Sequence, residues 1–306
     1  MITSPISGAT VTALEAAGLP VDAIVKFIQT AFDEDLGPGI DITSAATISA
    51  ASTSSAEFVA RMPGVAAGIP VVCAILEMAI PESTGRHIEG NVADGATFAR
   101  GDSLISVTGP TLPILTAERT ALNVLSRLCG VATHTRAWFD ALEGTTTKVR
   151  DTRKTTPGMR LLEKYAVRCG GGVNHRIGLW DAVLIKDNHV AAAGGVGAAL
   201  DRVCAHLGVD SDVMVQVEVD TLAQLSEALD HGATQVLLDN MSPVLMTQAV
   251  ALTRARNLRV LLEASGGITL ANAAAVAATG VDFIAVGALT HSSPLIDIGL
   301  DFHTAT

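Results

Sequence analysis

Aromatic residues are scarce in this chain: Trp, Tyr and Phe together make up 3% of 306 residues. A platform on which nucleobases stack needs several of them side by side, so the scarcity argues against single-stranded nucleic acid as a ligand. Positive charge is also in short supply. The net charge of −11 speaks against nucleic acid and against anionic membrane surfaces. The four cysteines, Cys73, Cys129, Cys169 and Cys204, lie far apart with no CxxC pair. That spacing disfavours a zinc knuckle and a disulfide framework, and reads as buried free thiols. No apolar run approaches the ~20 residues that span a bilayer. The first basic residue is Lys26, so the start lacks the basic flank of a signal peptide, and the chain reads as cytoplasmic. Gly-x-Ser-x-Gly, the P-loop and a GxGxxG after a strand are all absent, which disfavours hydrolase, NTPase and dinucleotide-binding chemistry.

What is present is apolar residues, at 49%, in a chain long enough for one large domain or two ordinary ones. The charge is unevenly spread. Between Arg119 and His189 there are 12 Lys or Arg against 6 Asp or Glu, whereas the remainder carries 8 basic against 25 acidic residues. An acidic protein that gathers its cations in one segment is suited to handling a small anion there, against the plainer alternative of a solvated basic helix face.

From about Thr146 onward, β-branched runs alternate with helical stretches. The spacing predicts strands at Thr147–Arg150, Ala182–Lys186, Val213–Val219, Gln235–Asp239, Arg259–Ala264 and Asp282–Val286. Asp220-Thr221, Ser242-Pro243 and Thr269 open the helices between them, and Gly232 and Gly280 stand where C-caps belong. Such βα units imply a parallel sheet covered by helices. About 145 residues supply six or seven units, too few for a full eightfold barrel, so an open α/β barrel is expected. The earlier part differs: a helix over 22–32, a turn-rich loop at Glu34–Gly39, strands at Ser55–Met62, Arg86–Val92 and Ser103–Thr108, a helix at Pro70–Ala79, and a long helix from Thr111 to Leu142. The expected division is residues 1–130 as an N-terminal α/β sandwich and 131–289 as the barrel, with 290–306 packing back on the first.

What ends each strand carries the chemistry. After Val149-Arg150 comes Asp151-Thr152-Arg153-Lys154; after Ile185 comes Lys186-Asp187-Asn188-His189; Val217 runs into Glu218; Leu238 ends in Asp239-Asn240; Leu262 leads to Glu263-Ala264-Ser265-Gly266-Gly267, and Val286 to Gly287-Ala288. In parallel barrels these ends converge on one mouth. The cations Arg153, Lys154, His175, Arg176 and Lys186 suit carboxylates and phosphates, arginine as a planar fork and lysine as a point charge. Glu218 and Asp239 suit a divalent metal or sugar hydroxyls. Ser265-Gly266-Gly267 and Val286-Gly287-Ala288 follow the last two strands, where barrels often bind phosphate. By contrast, Gly170-Gly171-Gly172 reads as a flexible helix C-cap, and His134 and His206 as packed or solvated helix residues.

Asp151-Thr152-Arg153-Lys154-Thr155-Thr156-Pro157-Gly158, Gly172-Val173-Asn174-His175-Arg176 and Ile185-Lys186-Asp187-Asn188-His189 together resemble the signature region of quinolinate phosphoribosyltransferases. Further similarity lies in Glu34-Asp35-Leu36-Gly37, Asp41-Ile42-Thr43-Ser44, Glu118–Asn123, Val217–Asp220, Leu238–Asn240 and Glu263–Ile268, and covers all but the first ~20 residues. The resemblance implies an α/β sandwich followed by an open, about seven-stranded α/β barrel. It implies phosphoribosyl transfer from phosphoribosyl pyrophosphate to quinolinate with loss of carbon dioxide. It also implies a homodimer, alone or assembled into a hexamer of dimers, in which Arg119 reaches the dicarboxylate of the neighbouring subunit. Within the subunit, Thr152, Arg153, His175 and Arg176 would hold the acceptor. Lys154 and Lys186 would face the donor, Glu218 and Asp239 would bind Mg2+ or ribose hydroxyls, and the loops at Ser265–Gly267 and Val286–Ala288 would take the 5′-phosphate. Two alternatives remain at this point. A paralogous family of the same fold uses another acceptor, and a non-catalytic anion sensor would use the same mouth. The paired carboxylates weigh against the sensor, because they would weaken anion binding without a metal between them.

Overall fold

The structure is a computed structural model that describes residues 5–208, 211–256 and 259–304. In chain order the strands are β1 (Thr53–Ala60), β2 (Gly64–Val65), β3 (His87–Gly90), β4 (Thr97–Phe98), β5 (Ser103–Pro110), β6 (Lys148–Arg150), β7 (Ala182–Ile185), β8 (Met214–Val219), β9 (Gln235–Asp239), β10 (Leu261–Ser265), β11 (Phe283–Ala285) and β12 (Ile298–Thr304). The helices are α1 (Gly8–Ala16), α2 (Val21–Leu36), α3 (Ile42–Thr47), α4 (Ile69–Ala79), α5 (Thr111–Ala141), α6 (Arg160–Cys169), α7 (Asp187–Ala193), α8 (Val196–Leu207), α9 (Leu222–Asp230), α10 (Pro243–Ala255), α11 (Leu270–Ala277) and α12 (Ala288–His291). Two compact units result. One holds the described residues up to Arg136 with Thr156–Gly171 and those from Ser292; the other holds Ala137–Thr155 and Gly172–His291. No described helix is long and apolar enough to cross a membrane.

The first unit is built on an antiparallel sheet in the order β12-β1-β5-β3. β1 alternates over its first six residues, with Ser54, Ala56 and Phe58 buried and Thr53, Ser55 and Glu57 more exposed, so one face meets the core, and Val59 and Ala60 at its end are buried as well. α2 buries Ile24, Ile28 and Phe32 at helical spacing. It extends past the expected end at residue 32, because Glu34, Asp35 and Leu36 continue the same helix. The chain leaves it only at Gly37, whose N–H donates to Asp33 O. α1 gave no periodic apolar signal, since only Thr10 and Leu14 are buried. Its start is tied down by Glu77, which accepts from Ser7 N at 2.7 Å, Ser7 Oγ at 2.8 Å and Thr10 Oγ1 at 2.9 Å. α6 belongs to this unit, where Arg127 Nη2 meets Glu163 Oε1 at 2.7 Å and Tyr165 Oη donates to Asp94 Oδ2 at 2.5 Å.

The second unit is a parallel sheet in the order β6-β11-β10-β9-β8-β7. Its strands are near-continuous apolar runs, as expected where helices cover a parallel sheet: Val236, Leu237 and Leu238 are all buried. Among the described residues six strands form where about seven were expected. Beyond β6 the seventh position is reduced to one parallel bridge, Arg150↔Val173, because glycines precede Val173 and resist extended pairing. β6 and β7 are the two ends of the order, so the sheet is open. Its helices are capped as read: Thr221 with Gln224 and Thr269 with Asn272 form capping boxes, and the Ser242 hydroxyl accepts from Leu245 N ahead of Pro243.

All four cysteines are unbonded to one another, but they are not uniformly buried: Cys204 is exposed on α8. Burial pushes the thiols of Cys73, Cys129 and Cys169 up to about 12, so these three are inert at neutral pH.

Candidate active site

Because the second unit's strands are parallel, their carboxyl ends share one edge of the sheet, and most candidate residues sit at or just beyond it. Register fixes their neighbours. Asp239 stands opposite Ser265 across β9 and β10, while Glu218 is level with Leu237 across β8 and β9.

Two cations dominate one part of this edge. Arg153 is half-buried, and its Nε is buried with no hydrogen-bond partner among the described residues. Arg176 donates through Nη1 to Ala182 O at 3.0 Å. Burial, and then the Arg153 charge beside it, hold the Arg176 guanidinium below its usual range, against a smaller opposing effect of Asp181. Two guanidinium groups that repel each other, one with an orphaned donor, form a site left short of negative charge. Such a site binds anions, and carboxylates fit it best.

A second group is acidic. Glu218 is held above the ordinary carboxylate range, first by burial and next by Asp239, with Lys186 pulling the other way. Asp239 accepts from Asn240 Nδ2 at 2.6 Å. Among the described residues no cluster of three or more His, Cys, Asp or Glu side chains could hold a metal by itself.

The glycine loops come third. Asn240 adopts a positive φ of 51° and donates its N–H to Ser265 O at 2.8 Å, bringing the loops after β9 and β10 together. A Cβ on Gly266 would lie 2.0 Å from Asn240 Oδ1, and φ there is +88°, so only glycine fits. After β11, a Cβ on Gly287 would lie 2.8 Å from Lys154 Cδ. The Lys154 stem thus crosses the backbone of this loop, and Thr290 Oγ1 donates to Lys154 O at 2.8 Å. Lys154 and Lys186 are exposed, and Thr152 accepts from Lys154 N at 3.0 Å. Val286 is buried, and its N–H donates to Arg150 O at 2.9 Å, tying the loop before Gly287 and Ala288 to β6.

Sequence reasoning missed the layer beneath. Glu263, read as a strand-end group, lies inside β10 and is 1% exposed. Its Oε2 accepts from Arg150 Nη1 at 2.7 Å and from Gln216 Nε2 at 3.1 Å. Gln216 Oε1 lies 2.6 Å from His175 Nε2, and His175 Nδ1 accepts from Arg176 N at 2.7 Å. Asp151, fully buried, accepts from His175 N at 2.8 Å and from Asn174 Nδ2 at 2.6 Å. The signal was available: a Gln or Glu inside an apolar strand must find a partner. His134 meets Ser293 Oγ at 2.9 Å, and His206 is exposed.

Arg119 lies on the first unit, exposed on α5. There it lines a cavity of about 910 Å3 together with Phe27, Glu34, Asp35, Arg127 and Ile298.

Residues 41–129 match the model of the quinolinate phosphoribosyl transferase N-terminal domain, and 131–301 that of its C-terminal domain. The nicotinate-nucleotide pyrophosphorylase (carboxylating) of Mycobacterium leprae is 50% identical over 283 residues, 92% of this chain and 97% of that protein. The probable counterpart of Bacillus subtilis is 40% identical over 276 residues, 90% of this chain and 92% of its own. The solved nicotinate-nucleotide pyrophosphorylase of Francisella tularensis superposes with a TM-score of 0.86 at 36% identity, covering 93% of this chain and 98% of that one. The chain belongs to the quinolinate phosphoribosyltransferase family.

Proposed function

We propose that this protein transfers the phosphoribosyl group of phosphoribosyl pyrophosphate to quinolinate and releases carbon dioxide, giving nicotinate mononucleotide and pyrophosphate. The observation that carries the reading is the pair Arg153 and Arg176, two mutually repelling guanidinium groups with one buried N–H unpartnered. A dicarboxylate supplies the missing charge in planar, bidentate form. Thr152 completes that wall, and His175 supports it from the buried layer behind, where both of its ring nitrogens are engaged. Lys154 and Lys186 face the phosphates of the donor. The loops at Ser265–Gly267 and Val286–Ala288 receive the 5′-phosphate through backbone N–H groups.

In this reading the pyridine nitrogen forms its bond to the anomeric carbon as the bond to pyrophosphate breaks, through an oxocarbenium-like state. Glu218 and Asp239 stand against that developing positive charge. Glu218 is raised first by burial and next by the charge of Asp239, a condition that a hard divalent cation relieves, so the two are the residues that would hold Mg2+. Such an ion takes one or two protein carboxylates and completes its shell with water and phosphate oxygens, which fits a pair and does not need a third ligand. When bound, it supplies charge neutralisation for the departing pyrophosphate. The 2-carboxylate then leaves as carbon dioxide. The electron pair it leaves on the ring is stabilised by the positive pyridinium nitrogen and is then protonated. The chain's own work is positioning and electrostatics rather than strong acid–base chemistry.

A homodimer completes the site in this proposal. Arg119, exposed on α5 of the first unit, would serve the neighbouring subunit's acceptor. Mixing Arg119→Ala with Lys186→Ala protein should restore turnover that neither variant has alone. Purified protein with quinolinate, phosphoribosyl pyrophosphate and Mg2+ should release pyrophosphate and carbon dioxide one for one with nicotinate mononucleotide. A folded protein that releases neither would sink the reading.

A further inference from the structure

We infer that Gln216, backed by Glu263 and Arg150, is a positioning residue that fixes His175 as a neutral imidazole with its proton on Nε2, and through that ring sets the backbone of Arg176. The inference rests on the quinolinate reading, because it gives Arg176 its ligand.

Donors and acceptors fix the arrangement. The Arg176 N–H can only donate, and it points at His175 Nδ1 from 2.7 Å, so that nitrogen is bare. The proton therefore sits on Nε2, which donates to Gln216 Oε1 at 2.6 Å. An amide can show its oxygen to the ring only if its NH2 has an acceptor on the other side. Glu263 Oε2, 3.1 Å from Gln216 Nε2, is that acceptor. The same oxygen takes Arg150 Nη1 at 2.7 Å, and the Arg150 guanidinium stacks 3.5 Å from the centre of the Phe283 ring. Reversing the Gln216 amide would put NH2 against the ring and oxygen against a carboxylate, breaking two bonds at once. The polarity of the whole chain is therefore single.

Burial makes this binding rather than incidental. Gln216 and Glu263 are each 1% exposed, Arg150 8% and His175 9%, so water cannot replace a lost link. The four side chains come from β6, β10, β8 and the segment after the Val173 bridge, and the network thereby joins three strands to the Arg176 backbone. Asp151 holds the His175 backbone N–H from below at 2.8 Å. With its N–H tied to His175 and Nη1 tied to Ala182 O, Arg176 has a set direction before substrate arrives.

The test uses full-length protein and two readouts. Nitrogen NMR of 15N-histidine-labelled enzyme, with His175 assigned by the signal lost in His175→Phe, should show Nε2 protonated and Nδ1 bare. Gln216→Met keeps the volume and removes both links. It should give a mixed tautomer and raise KM for quinolinate by about tenfold, the scale of one buried group left unpaired, while KM for phosphoribosyl pyrophosphate stays put. Glu263→Gln can still accept from Gln216, so it should keep the tautomer and lose less. A proton on Nδ1 in the wild type would overturn the inference even if Gln216→Met does not fold. So would a folded Gln216→Met with unchanged tautomer and KM in an active enzyme background. A wild type silent toward quinolinate would instead overturn the functional reading, and the role of Gln216 in that reaction with it.

Discussion

Two arginine clusters teach opposite lessons. In the first unit Arg127 is fully answered. Glu163 Oε1 takes its Nε at 3.1 Å and its Nη2 at 2.7 Å, and Ser293 O takes Nη1 at 3.2 Å. Glu163, with no exposed surface, also accepts from Thr156 N at 3.0 Å and Thr156 Oγ1 at 2.8 Å. In the second unit Arg153 and Arg176 repel each other, and the buried Arg153 Nε has no hydrogen-bond partner among the described residues. The first arrangement is a structural brace, since each charge is met inside the protein. The second is incomplete as a piece of structure and becomes complete only with an anion. Charge that a fold fails to satisfy marks where it meets something else.

That contrast can be broken in four ways. Arg153→Ala should lower kcat/KM for quinolinate by about 10²–10³-fold, the effect of removing one electrostatic contact to a reacting group. Its thermal midpoint should not fall, because the variant deletes an unsatisfied buried donor. Glu163→Ala should do the reverse, costing about 3 kcal/mol of stability in a denaturant titration by leaving the part-buried Arg127 without its carboxylate. Gly266→Ala should destabilise by about 2 kcal/mol, through a positive φ and a Cβ driven into Asn240, and should lower affinity for the phosphate donor.

The smallest effect concerns pH. The folded-state pKa of Glu218 lies above its ordinary value, through burial and then Asp239, so the native protein holds that proton more tightly than the unfolded chain. Stability from this group is therefore present at low pH and is lost as pH rises through the raised value. Asp239→Asn should flatten part of that loss in melting curves taken between about pH 4 and 7, and should move the acid limb of the pH–rate profile downward. It should also lower turnover. A stabilised but slower variant would mark Asp239 as part of the site rather than the scaffold.

Much of the fold was legible because each strand of the second unit is a short apolar run with a polar ending, and α9, α10 and α11 open on the capping residues Thr221, Ser242 and Thr269. Gln235–Asp239 was read with the bounds the structure has. The carboxylate pair and the glycine loops were legible for the same reason, being the polar residues at strand ends. The brace and the buried network were not. Arg150 and Glu263 are 113 residues apart, and His175 and Gln216 are 41 apart. No local pattern announces a partner at that distance. The seventh strand was overestimated because its position survives as a single bridged residue, which leaves no run to read. Membership of α6 in the first unit depends on Glu163 and Tyr165 meeting residues far back in the chain. Its sequence position between two barrel strands gave no hint of that.

The most direct test of the dicarboxylate claim is turnover with quinolinate and with nicotinate, side by side, at saturating phosphoribosyl pyrophosphate and Mg2+. The two acceptors differ by the carboxylate that the Arg153 and Arg176 pair is there to meet. The account predicts nicotinate mononucleotide and carbon dioxide from quinolinate, and no nucleotide from nicotinate. Equal rates with both acceptors would contradict it, because the second carboxylate would then have no binding role.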